Sequence, residues 1–414
     1  MDLLQLCTDA KSASRLAAKL GTNEKNEALL ALAKNLVAAS SDIIAANKVD
    51  VEEAVANGMS QALLDRLTLT EARIEGMAEG VTQVASLPDP IGEVLSMWTR
   101  PNGLKIGQQR VPLGVIGIIY ESRPNVTVDS FALTFKSGNA VILRGGSDCI
   151  HSNLALVKVI KETLRQCGIE ENIISILEDT DRKYVNELIR MDDYLDVIIP
   201  RGGAGLIRNV SQNASVPVIR TGTGNCHIYV DKDADLTKAV PIILNAKLQR
   251  LGVCNAAESL VIHKDVAEEA LKTIIPALQA EGCEVRGDAL VQEICANIVP
   301  ATEEDYGTEY LAKIISVKVV DSIDQAIAHI NKFSTGHSES IISENYTAVQ
   351  QFLNEIDSAA VYANASTRFT DGFEFGFGAE IGISTQKLHA RGPMGLNALT
   401  TTKYIIYGNG QVRP

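Results

Sequence analysis

The stretch LGVIGIIYESRPNVTVDSFALTFKSGNAVILR, residues 113–144, carries the pattern from which the fold follows. Its two ends, 113–120 and 139–144, are continuously apolar and rich in β-branched residues, and the residues between them have the spacing of an amphipathic helix. Strands that are apolar on both faces are typical of a parallel sheet covered by helices. The stretch therefore predicts an α/β protein built from strand–helix–strand units.

The same alternation continues towards the C-terminus. Further apolar strands are predicted at 172–177, 195–200 and 216–220, with helices near 126–136, 152–165, 182–191 and 203–212 between the strands. This first series predicts a dinucleotide-binding architecture. A second series begins at 226–230 and continues with strands ending near Val261, at 313–320, in ESIIS and in AAVYAN, again separated by helices. It predicts a second α/β layer.

Towards the N-terminus the pattern differs. Residues 3–86 have apolar side chains at three- and four-residue spacing, which predicts a helical region. Residues 88–112 carry prolines and a glycine around short alternating runs, which favours an extended hairpin. The last stretch, TTTKYIIYGN, is predicted to form an exposed strand that pairs with this hairpin. An arm of this kind is often an oligomer contact.

Composition excludes several classes of protein. The chain has 414 residues, of which 46% are hydrophobic and 21% charged, so two domains are expected. The net charge of −13 disfavours nucleic-acid binding. Seven cysteines without a C-x-x-C pair argue against disulfides and a metal site, and favour a reducing compartment. No apolar run is long enough to span a membrane and no secretory signal is evident, so we expect a cytoplasmic protein.

One cysteine lies where a nucleophile is useful. In NAKLQRLGVCNAAESLVIH, residues 245–263, the first half has the pattern of a helix end and the second half that of a strand. Cys254 therefore falls on a turn of small residues that brings a thiol and its backbone N–H up to a carbonyl carbon. A free cysteine is also a common space-filling core residue, and the turn by itself leaves both interpretations open.

Two glycine-rich segments are weaker signals. TGTGN, residues 221–225, and RGGAG, residues 201–205, can approach a pyrophosphate, but neither completes G-x-G-x-x-G after the first strand. As isolated motifs they are more typical of ordinary turns.

Several long blocks in a fixed order resemble one family. They are LDRLTLTEARI, GVIGIIYESRPNVTVD, VCNAAESLVIH, TEYLAKIISVKVVDSIDQAIAHIN and STQKLHARGPMGL. Over essentially its whole length the chain resembles the gamma-glutamyl phosphate reductase branch of the aldehyde dehydrogenase superfamily. The resemblance implies an aldehyde dehydrogenase-like fold with two Rossmann-like parallel-sheet domains and a small β oligomerisation arm. The expected NADPH-binding domain comprises 1–96 and 112–229, the catalytic domain 230–393, and the arm 97–111 and 394–414.

The resemblance also assigns residues. It implies that Cys254 is the nucleophile, that Glu309 holds the nicotinamide-side ribose, and that Arg144 contacts the 2′-phosphate of NADPH. The remaining cofactor contacts are expected from Thr221, Gly222 and Gly202. Ser122, or nearby Asn125, stands in place of the asparagine that stabilises the oxyanion in hydrolytic members. The general-base glutamate of those members aligns near Thr221, where no carboxylate occurs, which is consistent with a second substrate other than water.

The resemblance further implies the reaction and its partners. The expected reaction is NADPH-dependent reduction of L-glutamyl 5-phosphate to L-glutamate 5-semialdehyde through a Cys254 thioester, the second step of proline biosynthesis from glutamate. Substrate anions are expected to bind among Arg123, Ser366, Arg368, Lys387, His389 and Arg391. A separate glutamate 5-kinase is an expected neighbour, and a homo-oligomer is expected. The alternatives are another acylating aldehyde dehydrogenase that uses an acyl phosphate or acyl-CoA, a catalytically silent oligomeric binding protein, and a thiol hydrolase without a cofactor.

Overall fold

The computed structural model describes residues 2–413. The helices are α1 (Leu3–Ala17), α2 (Thr22–Ala38), α3 (Ser40–Ala56), α4 (Gln61–Leu67), α5 (Glu71–Ser86), α6 (Asn125–Lys136), α7 (Ile150–Gln166), α8 (Arg182–Leu188), α9 (Ala204–Asn213), α10 (Leu236–Leu248), α11 (Lys264–Ala280), α12 (Ala289–Ile294), α13 (Ile323–Phe333) and α14 (Tyr346–Glu355). The strands are β1 (Val94–Thr99), β2 (Lys105–Pro112), β3 (Val115–Tyr120), β4 (Ala140–Arg144), β5 (Ile174–Ile176), β6 (Val197–Arg201), β7 (Cys226–Val230), β8 (Ala257–His263), β9 (Glu284–Gly287), β10 (Val299–Pro300), β11 (Ile314–Val320), β12 (Ser338–Ile342), β13 (Ala360–Ala363), β14 (Ile383–Ser384), β15 (Gly392–Pro393) and β16 (Thr400–Tyr407). The predicted helical region before residue 86 is confirmed by α1 to α5.

The chain divides into two compact units. The first unit contains the residues up to Thr221, together with Gly376–Gly382 and the segment from Met394, and the second contains Gly222–Phe375 and Ile383–Pro393. The expected boundary after residue 229 is therefore displaced. The physical reason is that β7 forms parallel ladders with β8 and β12, so it belongs to the sheet of the second unit.

The first unit is centred on a four-stranded parallel sheet in the order β5-β4-β3-β6. Strands β3 and β4 are buried along their whole length, as their continuous apolar sequence predicts. The fifth strand predicted at 216–220 is wrong, because only a single bridge joins Val218 to Ile198. Pro217 accepts a hydrogen bond from Ile198 but has no N–H with which to extend a ladder.

The same unit carries a separate antiparallel sheet in the order β1-β2-β16. The pairing of the C-terminal strand with the hairpin is confirmed, with a register that runs from Thr400 opposite Pro112 to Tyr407 opposite Lys105. The hairpin lies within the predicted 88–112, and because β1 pairs with β2 from Val94 onwards the arm begins before its expected start at residue 97. All six residues of β1 are exposed.

The second unit contains a seven-stranded parallel sheet in the order β10-β9-β11-β8-β7-β12-β13. Every predicted strand of the second series is present. Strands β9 and β10 were not predicted, because they are only four and two residues long and lack a continuous apolar run. In this order β8, β7 and β12 are adjacent and parallel, so the residues that precede them meet at the amino-terminal edge of the sheet.

Within residues 2–413 no single helix is both long and apolar enough to cross a membrane. Helices α2 and α3 meet that length and composition only as a pair, bent by 66° at their junction.

Candidate active site

Cys254 lies on the turn that the sequence predicts. Helix α10 ends at Leu248 and β8 begins at Ala257, so the turn between them places the thiol at the amino-terminal edge of the second unit's sheet. Cys254 is half-buried, whereas Cys226 in β7 is fully buried, and none of the seven cysteines, all within the described residues, forms a disulfide. A half-buried thiol on a turn is accessible to a small electrophile, unlike a space-filling core cysteine.

A histidine contacts the thiol. His337 precedes β12, and its Nε2 lies 3.1 Å from Sγ of Cys254. The ring is fully buried, and this burial lowers the pKa of His337 to about 4. Near neutral pH the imidazole is therefore uncharged, so Nε2 can accept the thiol hydrogen while Nδ1–H donates to Ser338 Oγ at 2.8 Å. Sequence reasoning missed this residue.

Gly224 brings the backbone before β7 against the nucleophile. A Cβ built on Gly224 overlaps the carbonyl group of Cys254 and lies 2.6 Å from its Cα, so only glycine fits here. The Gly224 N–H donates to Oε1 of Glu309 at 2.7 Å. Burial raises the pKa of the Glu309 carboxyl, and the Gly224 N–H partly offsets this effect. One glycine thus fixes both Cys254 and the predicted ribose ligand.

A buried ion pair supports the Glu309 loop. Lys247 of α10 pairs with Glu258 of β8, and both side chains are fully buried. The second carboxylate oxygen of Glu258 accepts from the backbone N–H of Leu311 at 3.2 Å. Burial raises the pKa of Glu258 to about 7, against the opposing effect of Lys247. The pair ties the segment after Glu309 to the strand after Cys254.

The loop 366–370 holds the nucleophile turn through Asn255. The amide Nδ2 of Asn255 donates to the carbonyl of Thr370 at 2.9 Å, and Thr367 Oγ1 donates to the Asn255 carbonyl at 2.7 Å. Arg368 donates to Oδ1 of Asn255 and, through Nε, to Gln249 at 2.8 Å. Both predicted substrate residues of this loop are therefore engaged, because the Ser366 hydroxyl accepts from the Arg368 N–H at 3.2 Å.

The other predicted substrate residues of the second unit cluster around one acid. Lys387 and Arg391 both pair with Asp357, and Arg391 Nη2 lies 2.8 Å from its carboxylate. Both pairs lower the pKa of Asp357. His389 lies between the two cations in sequence and is exposed, with a positive φ of 70°. The geometry thus brings Lys387 and Arg391 together at Asp357, and His389 belongs to the same segment of sequence, 387–391, called the cationic segment below.

In the first unit, the predicted residues lie at the carboxyl ends of β3 and β4. Arg144 is only 9% exposed and donates to the carbonyls of Gly145 and Thr180, each at 2.7 Å. Ser122 has a φ of 41° and donates its hydroxyl to Asp148. Asn125 is exposed at the start of α6 and donates one amide hydrogen to Asp129 at 3.0 Å. Arg123 is half-buried just before that helix.

The glycine-rich segments have local partners. Thr221 is buried, and its hydroxyl donates to the Pro200 carbonyl at 2.8 Å. The N–H of Gly222 donates to the Ile383 carbonyl at 3.1 Å. Gly202 is exposed before α9, where the neighbouring Gly203 N–H donates to Oε2 of Glu121 at 2.9 Å. Thr221 and Gly222 of TGTGN are thus committed to backbone carbonyls, and an acid already occupies the RGGAG turn.

Comparison with known proteins identifies the family. The model of the aldehyde dehydrogenase family matches residues 1–284 and 294–405. The chain belongs to the aldehyde dehydrogenase family. It is 62% identical to the gamma-glutamyl phosphate reductase of Lachnospira eligens over 411 residues, which cover 99% of each chain. It is 61% identical to the enzyme of that name from Enterococcus faecalis, over 100% of this chain and 99% of the relative.

A solved structure agrees with this family. The crystal structure of gamma-glutamyl phosphate reductase from Thermotoga maritima matches with a TM-score of 0.98 and 52% identity, with complete coverage of both chains. The predicted aldehyde dehydrogenase-like fold is therefore confirmed. Aldehyde dehydrogenases use nicotinamide cofactors, and this chain is an oxidoreductase of that family.

Proposed function

We propose that the chain reduces L-glutamyl 5-phosphate to L-glutamate 5-semialdehyde and phosphate, with NADPH as the reductant, in proline biosynthesis from glutamate. The relatives that match along the whole chain are named for this reduction. The observation that carries the chemistry is the half-buried Cys254 thiol, 3.1 Å from a neutral histidine, on a turn held by Gly224 and Asn255. A silent binding protein has no need of this arrangement.

In the proposed reaction the Cys254 thiolate attacks the acyl carbon, and the C–O bond to phosphate breaks. Phosphate is a good leaving group, so the thioester forms with little acid assistance. The cofactor supplies a hydride to the acyl carbon. The resulting thiohemiacetal collapses to the aldehyde and the Cys254 thiolate, which takes up a proton again before the next turnover. Of the two predicted oxyanion donors, Asn125 is the better candidate, since its amide has a second hydrogen, whereas the single hydroxyl hydrogen of Ser122 is donated to Asp148.

The residues present fit a nicotinamide cofactor that carries a 2′-phosphate. Glu309 is a buried carboxylate held by one backbone N–H, which suits ribose hydroxyls. Burial lowers the pKa of Arg144, and the nearby charge of Arg182 lowers it further, while the buried Nε of Arg144 has no hydrogen-bond partner among the described residues. Two neighbouring guanidinium groups favour a phosphate dianion. Thr221, Gly222 and Gly202 are assigned to shaping the backbone around the cofactor rather than to donating hydrogen bonds.

The substrate is an anion at both ends, and the candidate ligands divide by role. Lys387 and Arg391, which pair with Asp357, and His389 of the same cationic segment are assigned to a substrate anion. Arg368 and Ser366 are assigned to holding the Cys254 turn, with Arg368 adding positive potential near the thiolate. Arg123 is a second candidate ligand for a substrate anion. Seven cysteines without a disulfide among the described residues favour a reducing compartment such as the cytoplasm.

Partners are also part of the proposal. Acyl phosphates hydrolyse readily, so a separate glutamate 5-kinase is expected to deliver the substrate at close range. The exposed apolar strand β1 beside β16 is expected to form a subunit contact in a homo-oligomer, because a monomer leaves this edge uncovered.

The test compares Cys254→Ala with Cys167→Ala, a change at an exposed cysteine. NADPH oxidation is followed with glutamate, ATP and a glutamate 5-kinase, and NADPH binding is measured by titration. Cys254→Ala should abolish oxidation and keep NADPH binding, whereas Cys167→Ala should behave as wild type. Substantial activity in Cys254→Ala would refute the covalent route. Faster NADPH oxidation with an acyl-CoA than with glutamyl phosphate would refute the assignment of L-glutamyl 5-phosphate as the substrate.

A further inference from the structure

A line of polar side chains leads away from the nucleophile. Beyond His337, the Ser338 hydroxyl lies 2.6 Å from Oγ1 of Thr370, which lies 2.7 Å from the hydroxyl of Tyr362. With the 3.1 Å contact from Cys254 to His337 and the 2.8 Å contact from His337 to Ser338, the line joins five side chains without a gap. All five lie in the second unit.

The line connects a buried ring to the surface. His337, Ser338 and Thr370 are each 0% exposed, whereas Tyr362 is half-buried. A proton on the inner nitrogen of His337 therefore has no direct access to water, and the line ends at Tyr362, which is partly exposed. Each hydroxyl both donates and accepts, so the hydrogens can point outwards or inwards along the line.

The charge state of His337 limits how the thiol can lose its proton. Burial keeps the pKa of His337 near 4, so a stable imidazolium beside the thiolate is unfavourable. If Nε2 takes the thiol proton, Nδ1 must release its own, and Ser338 is the acceptor at 2.8 Å. The geometry offers a route that never leaves a charge on the ring.

We infer that His337, Ser338, Thr370 and Tyr362 form a proton relay that deprotonates Cys254 and delivers its proton to solvent. The S–H proton moves to Nε2, the Nδ1 proton moves to Ser338, and the hydroxyl protons shift outwards until Tyr362 releases one to water. The hydroxyl hydrogens then point towards His337, and the neutral imidazole donates its Nε2–H to the thiolate. His337 is a catalytic residue in this scheme, and the three hydroxyl residues position and recharge it. Its use in turnover rests on the proposed function.

The other groups that face His337 do not provide this exit. Cys226 Sγ lies 3.7 Å from Nδ1, but its thiol donates to the Cys254 carbonyl at 3.2 Å. Full burial, Glu339 and Cys254 all raise the pKa of Cys226. A buried thiol that keeps its own proton and donates it to a carbonyl has no basic site for a second proton, so Cys226 holds the backbone instead.

The main test compares Thr370→Val, which keeps the shape of the side chain and removes the hydroxyl, with Thr370→Ser, which keeps the hydroxyl. Reduction is measured in H2O and D2O. Thr370→Val should lower kcat at least about tenfold and show a larger solvent isotope effect than wild type, since proton transfer becomes limiting. Thr370→Ser should stay near wild type. Tyr362→Phe should resemble Thr370→Val, and Tyr346→Phe, at a 77% exposed tyrosine, should change neither quantity.

Three results would overturn the relay: an unchanged kcat in Thr370→Val, equal losses in the Val and Ser variants, or a slow Thr370→Val enzyme without a larger isotope effect.

Alkylation of Cys254 by iodoacetamide gives a second measurement that requires no substrate. His337→Leu should move the pH midpoint of alkylation upwards, because the thiolate loses its N–H donor. An unmoved midpoint would remove His337 from the scheme. If iodoacetamide alkylates Cys254 of the wild-type protein normally but the protein does not reduce glutamyl phosphate, the proposed function is refuted. The relay is then tested by the pH midpoint of alkylation alone.

Discussion

Gly224→Ala is the sharpest test of how the active-site turn is built. A Cβ at this position lies 2.6 Å from Cα of Cys254 and overlaps the Cys254 carbonyl, whereas ordinary contact begins at 3.4 Å. Both sides of the contact are backbone, so neither can rotate away as a flexible side chain would. The Cys254 carbonyl oxygen lies only 1.4 Å from this Cβ, so the backbone must retreat by more than about 1 Å. A misplacement of about 1 Å at a reacting group already costs about 10²-fold in rate.

The same change affects stability and the cofactor ligand. Overpacking of a close contact costs about 1–3 kcal/mol, and the 2.7 Å hydrogen bond from Gly224 to Glu309 is expected to lengthen as the chain shifts. The assay is kcat/KM for NADPH oxidation, with thermal unfolding and NADPH titration on the same samples. We expect a fall of about 10²-fold in kcat/KM, a lower melting temperature and weaker NADPH binding.

Gly80→Ala is the matched control. It lies within α5, where an added Cβ meets nothing within 4 Å, and alanine favours a helix over glycine by about 0.8–1 kcal/mol. This variant should melt at a slightly higher temperature with unchanged kcat/KM. Wild-type kcat/KM and melting in Gly224→Ala would show that the turn tolerates a side chain, and the account of the site would then be wrong.

Three further predictions concern the cofactor, the subunit contact and the stability of the site. Arg182→Ala should weaken NADPH about tenfold or more and leave NADH unchanged in titration, since one charge-assisted contact contributes about 1.5–3 kcal/mol; equal losses would exclude this role. Truncation after Thr402 removes most of β16 and should shift sedimentation towards monomer, whereas an unchanged profile would exclude the arm as the contact. The pKa of His337 is lowered from 6.5 to about 4 on folding, so the unfolded chain binds a proton below pH 6.5 that the folded chain does not. Stability should therefore fall by up to about 3 kcal/mol between pH 6.5 and pH 4, and denaturant unfolding should show a smaller fall in His337→Gln.

Local patterns were sufficient for much of the fold and for the turn that carries Cys254. The turn at Cys254 follows from a helical period that ends, a run of small residues and an apolar strand, all within a single stretch of sequence. Strands β3, β4, β8 and β12 follow for the same reason, because continuous apolar runs between helices have few other solutions in a protein of this size.

His337 could not be found in the same way. It is 83 residues from Cys254, and the contact exists because β7 lies between β8 and β12 in the sheet. Strand order is a tertiary property that one sequence does not reveal. The available signal was limited to a polar turn, STGHS, immediately before a predicted strand. Parallel strands gather such turns at one edge, but many turns share that description.

The burial of Arg144 is a second property that the sequence did not reveal. The sequence places a cation at the end of β4, and the natural expectation is a side chain in solvent. In the structure the segment after β5 lies over this end, since β5 is the neighbour of β4, and the Thr180 carbonyl accepts from the guanidinium at 2.7 Å. The residue is correctly located but largely buried, which makes the exposed Arg182 the better first target for mutation.

The loop 366–370 links nucleophile placement to proton movement. Asn255 donates to the carbonyl of Thr370, while the Thr370 hydroxyl contacts Ser338 and Tyr362. The residue next to the nucleophile therefore holds the backbone of the residue that we place third in the relay after the thiol. A shift of the turn moves both, so the thiol and its exit route for a proton stay in register. Arg368 completes this link with hydrogen bonds to both Asn255 and Gln249, a two-acceptor geometry that the planar guanidinium supplies and a lysine ammonium does not.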